Sequence, residues 1–271
     1  ANTITQILNN MKIKHLLCFI ALCLFFTPGK AQQLSVMTLR NGATVYIWED
    51  KSKPDVFGMI AFKVGSVDDP EQYTGLAHYL EHVMFKGTQT IDALDWEKEK
   101  PIYEKIIAKY DERAALSDPA AREAIDKEIN DLTREAAQYA AGNEFSLLVD
   151  HMGGQGLNAS TGYDQTEYHN SFPPSQLEKW LEIYSERLID PVFRGFQTEL
   201  EAVYEEYNMY NDDRGSRMRE FIYEQAFGDH PYARPIIGLP EHLKNPQLSK
   251  LIDFYNTWYG PQNMSIILVG N

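Results

Sequence analysis

Alternating apolar and polar residues mark several segments of the chain as β-strands. Residues 34–49 contain two β-rich runs on either side of Asn41-Gly42, a dipeptide typical of tight hairpin turns. A third strand is expected over residues 56–64, and one or two more over residues 157–172. The apolar run 264–269 predicts a further strand, so the strands come from widely separated parts of the chain.

Apolar residues with helical spacing lie between these strands. Leu76, Leu80 and Val83 recur at intervals of three or four residues, which predicts a helix over residues 75–85. Further helices are expected at 143–151, from 173 to about 189, at 196–211, at 217–227 and at 245–259. Strands and amphipathic helices therefore share the patterned part of the chain.

Residues 94–141 have a different character, because they are rich in Glu, Lys, Ala and Ile and contain no Gly. Ser117-Asp118-Pro119 interrupts them, and Pro119 suits the first turn of a second helix. We predict an antiparallel helical hairpin inserted into the domain. It could contact a partner or substrate, but its exposed charge favours a solvated insertion.

Composition narrows the classes of protein that this chain can represent. The 271 residues are 44% hydrophobic and 12% aromatic, which excludes a disordered chain. The formal net charge of −14 argues against a general nucleic-acid binder, because phosphate contacts need a basic surface. Two cysteines are too few for a disulfide scaffold or a multi-cysteine zinc ribbon.

The N-terminal residues resemble a secretory leader. Basic residues precede the apolar run Leu16–Phe26, and small residues ending at Ala31 follow it. We predict a signal peptide over residues 11–31 with cleavage after Ala31, which implies export to the periplasm or the cell exterior. The apolar run is too short to span a bilayer, which needs roughly 20 residues, so no membrane span is expected after removal of the leader. Residues 1–10 precede Met11 and are treated as upstream sequence or an artefact.

The sequence His78-Tyr79-Leu80-Glu81-His82 carries the clearest chemistry. On a helix, His78 and His82 lie four residues apart on one face, where two imidazoles can bind one tetrahedral ion. Glu81 lies near the same face and could accept a proton from a metal-bound water without being a ligand. Two histidines at this spacing also occur by chance on surface helices. The flanking small and apolar residues, which end at Gly87, favour a half-buried ligand helix.

The segment Gly75–Thr88 resembles the metal-binding helix of the M16 metallopeptidases, the relatives of pitrilysin, insulin-degrading enzyme and mitochondrial processing peptidase. The resemblance covers about residues 34–271, apart from the inserted hairpin. It implies an α+β fold with an antiparallel or mixed sheet and helices packed on one face. It also implies a zinc-dependent endopeptidase domain over residues 32–271, the N-terminal metal-binding half.

In this family the third ligand is a glutamate on a later helix, with a second glutamate seven residues earlier and a valine three residues before the ligand. Val203 then selects Glu206 as the ligand and Glu199 as the supporting carboxylate. Residues seven apart share one helix face, whereas Glu201 and Glu205 would point elsewhere. The ligands expected for a single Zn²⁺ ion are His78, His82 and Glu206.

The strand at Leu157–Thr161 matches a family strand that lies beside the zinc and pairs with the substrate backbone. Asn158 and Ala159 are the matching substrate-binding positions, and main-chain pairing would hold an extended peptide regardless of its side chains. The alternative is that Asn158 only begins a strand after a glycine-rich loop. Four isolated histidines are expected to be turn or surface residues: His151, His169, His230 and His242.

The resemblance also implies a second, homologous half that completes the active unit and grips the substrate. This chain has one half, so it is expected to be a fragment of a longer protein or to pair with a separate subunit. Its expected partners are a peptide substrate and that second half, and no nucleic acid. The alternative function is a non-catalytic, metal-binding scaffold subunit, but such halves usually lose one of His78, Glu81 and His82, which are all present here.

Overall fold

A mixed six-stranded sheet forms the frame of the domain. The structure, a computed structural model, describes residues 34–271. The strands are β1 (Leu34–Thr38), β2 (Thr44–Glu49), β3 (Val56–Phe62), β4 (Gln155–Thr161), β5 (Thr166–Phe172) and β6 (Met264–Gly270). Their order in the sheet is β1-β2-β6-β3-β5-β4, with β6 parallel to β2 and antiparallel to β3.

Nine α-helices complete the described part of the chain. They are α1 (Leu76–Val83), α2 (Trp96–Ala115), α3 (Pro119–Ala136), α4 (Glu144–His151), α5 (Leu177–Ile189), α6 (Phe196–Asp212), α7 (Arg214–Phe227), α8 (Pro240–Leu243) and α9 (Leu248–Trp258). The predicted α+β fold with a mixed sheet is confirmed. The turn predicted at Asn41-Gly42 is also confirmed, since it joins β1 to β2 and Gly42 has a positive φ of 96°.

The core lies where the helices cover the neighbouring strands β3 and β5. Every second residue of each strand is buried, which is the pattern of a sheet with one face in the core. Gly58 of β3 allows Trp180 of α5 to approach closely, because an added Cβ would lie 2.7 Å from its ring. Trp180 stacks on Phe172 in turn, so α5 is held directly on the sheet.

Helices α2 and α3 form the predicted antiparallel hairpin, named the inserted hairpin below. Ion pairs from Lys109 to Glu128 and from Arg113 to Asp126 cross between the helices in antiparallel order. Asp118 caps the start of α3, directly before Pro119. At the other end, Ala93 and Ala140 form an antiparallel bridge, so the chain leaves the domain and returns to it at adjacent points.

Three helix starts differ from the prediction, and one of them is that of α9, which begins at Leu248 instead of residue 245. Helix α5 begins at Leu177 because a short 3-10 turn occupies Pro174–Gln176. Helix α7 begins three residues earlier than expected, at Arg214, because the Asp213 side chain accepts a hydrogen bond of 2.7 Å from the backbone N–H of Ser216.

The predicted signal peptide, residues 11–31, lies outside the described residues. Within residues 34–271, no helix combines the length and the apolar character needed to cross a bilayer.

Candidate metal centre

The start of α1 is fixed by a buried carboxylate. Asp69 accepts hydrogen bonds from the backbone N–H groups of Gly75 (2.7 Å) and Ala77 (2.9 Å), which satisfies donors that a helix start leaves free. Burial raises the pKa of Asp69 to about 7, although these donors and the charge of Arg234 act to lower it. Gly75 has a φ of 89°, and an added Cβ would lie 2.5 Å from the Ile237 carbonyl oxygen. These contacts together fix the direction in which the chain enters α1.

Helix α1 buries one face in the core and turns the other toward α6. Leu80 and Val83 are fully buried in the core cluster. The Tyr79 hydroxyl donates a hydrogen bond to the carbonyl oxygen of Phe196, the first residue of α6. This contact places the polar side chains of α1 opposite those of α6.

Three side chains converge between the two helices. Glu206 Oε2 lies 3.5 Å from His78 Nε2 and 3.5 Å from His82 Nε2. One ligand atom from each of the three residues lies within 4.8 Å of the other two. A tetrahedral zinc ion with ligands at about 2.0–2.2 Å separates its ligand atoms by roughly 3.3–3.6 Å. The spacing and the two-nitrogen, one-oxygen donor set therefore fit a zinc site with a position left for water or substrate.

A second carboxylate supports His82 from the opposite side. Glu199 Oε2 lies 3.6 Å from His82 Nδ1, and Glu199 Oε1 lies 2.5 Å from Lys86 Nζ. Burial alone would raise the pKa of Glu199, but His82 and Lys86 lower it below its ordinary value. A carboxylate behind a metal-binding imidazole fixes the ring orientation and raises the basicity of the ligand nitrogen.

The two imidazoles have opposite electrostatic surroundings. Burial, followed by repulsion from His82, lowers the pKa of His78 to about 4. Burial also acts to lower the pKa of His82, but the carboxylates of Glu199 and Glu206 outweigh it and raise the pKa to about 9. The carboxylates of Glu199 and Glu206 therefore favour the protonated form of His82, whereas burial favours the neutral form of His78.

Glu81 faces the same space without joining the ligand group. Its Oε2 accepts a hydrogen bond of 2.6 Å from the Thr161 hydroxyl, and burial raises its pKa. Together with His78 and Glu206 it lines a cleft of about 260 Å³ that extends to Ala159 and Thr161 of β4. A carboxylate with one oxygen bonded and one free, beside three metal ligands, can exchange a proton with a molecule in this cleft.

The remaining candidate residues lie outside the group of three ligands. Glu201 and Glu205 line a separate groove between α6 and the inserted hairpin, so neither belongs to the ligand group. Ala159 borders the metal cleft, whereas Asn158 lies on β4 with an exposed side chain. His242 Nδ1 lies 2.7 Å from the Thr74 hydroxyl, which links α8 to the start of α1.

Three residues near the site were not predicted from the sequence. Asp69 lies in a polar loop with no motif that marks it as a helix cap. Lys86 lies three residues beyond the end of α1, so helical spacing gives no signal for its contact with Glu199. Thr161 gives no local signal, because its contact with Glu81 joins residues 80 positions apart.

The family model described as Insulinase (Peptidase family M16) matches residues 44–100 and 132–239. The chain belongs to peptidase family M16. The unmatched residues between these two segments fall inside the inserted hairpin of this M16 chain.

Relatives of this M16 chain are named as zinc proteases. It is 25% identical over 239 residues to the zinc protease PqqE of Helicobacter pylori, a match that covers 87% of this chain and 43% of that protein. It is 26% identical over 210 residues to an uncharacterized zinc protease of Mycobacterium leprae, covering 77% of this chain and 36% of that protein. The chain thus spans less than half the length of these relatives.

Solved structures show the same fold. A protease from Helicobacter pylori has a TM-score of 0.66 and 23% identity, covering 88% of this chain and 46% of that one. The first half of the periplasmic protease PqqL from Escherichia coli has a TM-score of 0.64 and 23% identity, covering 88% of this chain and 43% of that one.

Proposed function

We propose that this chain is the metal-binding catalytic domain of an exported zinc endopeptidase that hydrolyses extended peptides. The observation that carries the proposal is the convergence of His78, His82 and Glu206, with Glu81 beside them and outside the ligand group. The zinc-protease names of the relatives support the choice of metal.

The residues of the cleft would have different roles in hydrolysis. His78, His82 and Glu206 would hold one zinc ion, and Glu199 would orient His82. When bound, zinc supplies Lewis-acid polarisation of the scissile carbonyl and lowers the pKa of a coordinated water to about 7. Glu81 would accept the proton of the attacking water at its free oxygen and pass it to the departing amine, so that the peptide bond breaks with no net change in protons.

Strand β4 offers a place for the peptide. It is the last strand of the sheet order, so one of its edges has no partner strand among residues 34–271. An extended peptide could add to this edge by main-chain hydrogen bonds. Ala159 borders the cleft and Asn158 is its exposed neighbour on the strand, which supports a substrate-binding role for this segment.

Two further parts of the proposal concern the protein in the cell. The leader pattern over residues 11–31, together with the structural similarity to the first half of a periplasmic protease, supports export. The greater length of the relatives supports a second half, in the same chain or in a separate subunit, that completes the active unit.

The test is a fluorogenic-peptide assay on the full-length protein with its second half, comparing wild type with Glu81→Gln. We expect cleavage to fall about 100- to 10,000-fold, the usual contribution of a general acid–base group, while bound zinc stays at one ion per chain. Unchanged cleavage by Glu81→Gln would contradict the role of Glu81. A wild-type protein that binds zinc but cleaves no peptide would favour the scaffold function instead.

A further inference from the structure

Thr161, the last residue of β4, stands where the peptide-binding edge meets Glu81. The backbone N–H of Gly162 donates a hydrogen bond of 2.7 Å to the Gln165 carbonyl oxygen and so closes the β4–β5 turn. In an antiparallel ladder, hydrogen-bonded and non-hydrogen-bonded pairs alternate. Because Thr161 pairs with Thr166 next to this bonded pair, its own N–H and C=O point away from β5, toward the open edge of the sheet.

The side chain of the same residue points to α1. Its hydroxyl donates a hydrogen bond of 2.6 Å to Glu81 Oε2, and this oxygen is therefore occupied. A hydrogen bond to a carboxylate is short and strong compared with a neutral one, so it restrains the rotation of a side chain that has three torsions. The neighbouring Ser160 hydroxyl instead donates to Glu167 Oε1 at 3.1 Å, so it cannot replace this contact.

We propose that Thr161 is a positioning residue that couples peptide binding to the orientation of Glu81. Its main chain pairs with the substrate at the edge of β4, and its hydroxyl holds Glu81 with one oxygen directed into the cleft. A peptide that orders the end of β4 thereby orders the carboxylate as well. This inference rests on the proposed peptidase function and adds a residue to it.

The kinetic test compares Thr161→Val and Thr161→Ser with wild type in the full-length, zinc-loaded protein. Valine keeps the shape and the main chain of residue 161 but removes the hydroxyl. We expect kcat to fall about 10- to 100-fold with KM within twofold of wild type, the effect of losing one hydrogen bond to a charged group. Thr161→Ser should recover most of the rate, and Thr257→Val on α9 removes an exposed threonine hydroxyl as the matched control.

A second readout does not depend on activity. In crystal structures of the zinc-free full-length variants, Glu81 should keep its wild-type position in Thr161→Ser and adopt several conformations in Thr161→Val. Zinc content should match wild type in all three variants, since none removes a ligand.

The two proposals fail in different ways. If wild type cleaves peptides, Glu81→Gln does not, and Thr161→Val retains kcat within twofold, the positioning role of Thr161 is wrong while the peptidase function stands. The same conclusion follows if Glu81 is equally ordered in the Thr161→Val crystal. If wild type does not cleave, the peptidase function is wrong, and a disordered Glu81 in Thr161→Val still supports the structural link.

Discussion

Charged residues have different surroundings in the metal centre and in the inserted hairpin. In the metal centre, His82 is held by two carboxylates and Glu199 by both His82 and Lys86, at sites that are largely shielded from water. In the hairpin, Lys109 pairs with Glu112 and Glu128, whose side chains are 51% and 53% exposed. The carboxylates of these ion pairs are therefore more exposed to solvent than those of the metal centre.

One ion pair of the hairpin is buried, as the charged groups of the metal centre largely are. Glu99, near the start of α2, is buried and receives two hydrogen bonds from Arg194 at 2.6 and 2.8 Å. A bidentate pair of this kind fixes orientation as well as distance. The base of the hairpin is thus attached to the domain by a bidentate ion pair. Farther along the helices, Ile106 and Ile129 add buried apolar contacts, and Asp111 accepts a hydrogen bond of 2.6 Å from Ser249 of α9.

The largest effect is expected when two adjacent glutamates of α6 are replaced one at a time. We expect Glu206→Gln to weaken zinc binding by more than 100-fold, because it removes the anionic ligand, and Glu205→Gln to leave it unchanged, because Glu205 faces the hairpin groove. Isothermal titration with zinc measures both. Equal losses in the two variants would mean that the ligand has been assigned to the wrong glutamate.

A smaller effect is expected at Glu199, which contacts the expected ligand His82. Glu199→Gln should weaken zinc binding by about 10- to 100-fold, the usual cost of losing an outer partner of a ligand. Glu201→Gln is the matched control, since Glu201 lies on the same helix but outside the site. Competition with a fluorescent chelator would measure both affinities. An affinity for Glu199→Gln within twofold of wild type would show that His82 does not need this carboxylate.

The smallest effect is expected in the hairpin. Lys109→Gln should leave the midpoint of urea denaturation close to that of wild type, because surface ion pairs contribute little to stability. Circular dichroism would measure the midpoint, with zinc affinity unchanged. A clearly lower midpoint would show that surface charge does hold the hairpin together.

The same contrast explains how much could be predicted from the sequence. His78, Glu81 and His82 follow from spacing within one helix. Glu206 follows from the resemblance to the family pattern, with which the shared helix face of residues seven apart agrees. Asp118 and Pro119 marked the turn of the hairpin by local chemistry alone.

Two other contacts of the site carried no such signal. Asp69 lies only six to eight residues before the backbone groups it binds, but no motif marks it as a helix cap. Thr161 reaches Glu81 from another strand, and this contact depends on how the sheet places β4 beside α1. Local periodicity describes single elements, so it could not indicate these pairings before the sheet order was known.

The order of the sheet has a consequence for how the chain folds in the cell. Strand β6 lies between β2 and β3, and Thr44 of β2 pairs with Ser265 of β6. During synthesis, β2 and β3 emerge from the ribosome long before the strand that separates them, so neither can complete its pairing at once. Long-range strand pairing is intrinsically slow and leaves unpaired edges exposed to aggregation. A chain without residues 264–270 should therefore leave an edge of both β2 and β3 unpaired and aggregate more readily than the complete domain.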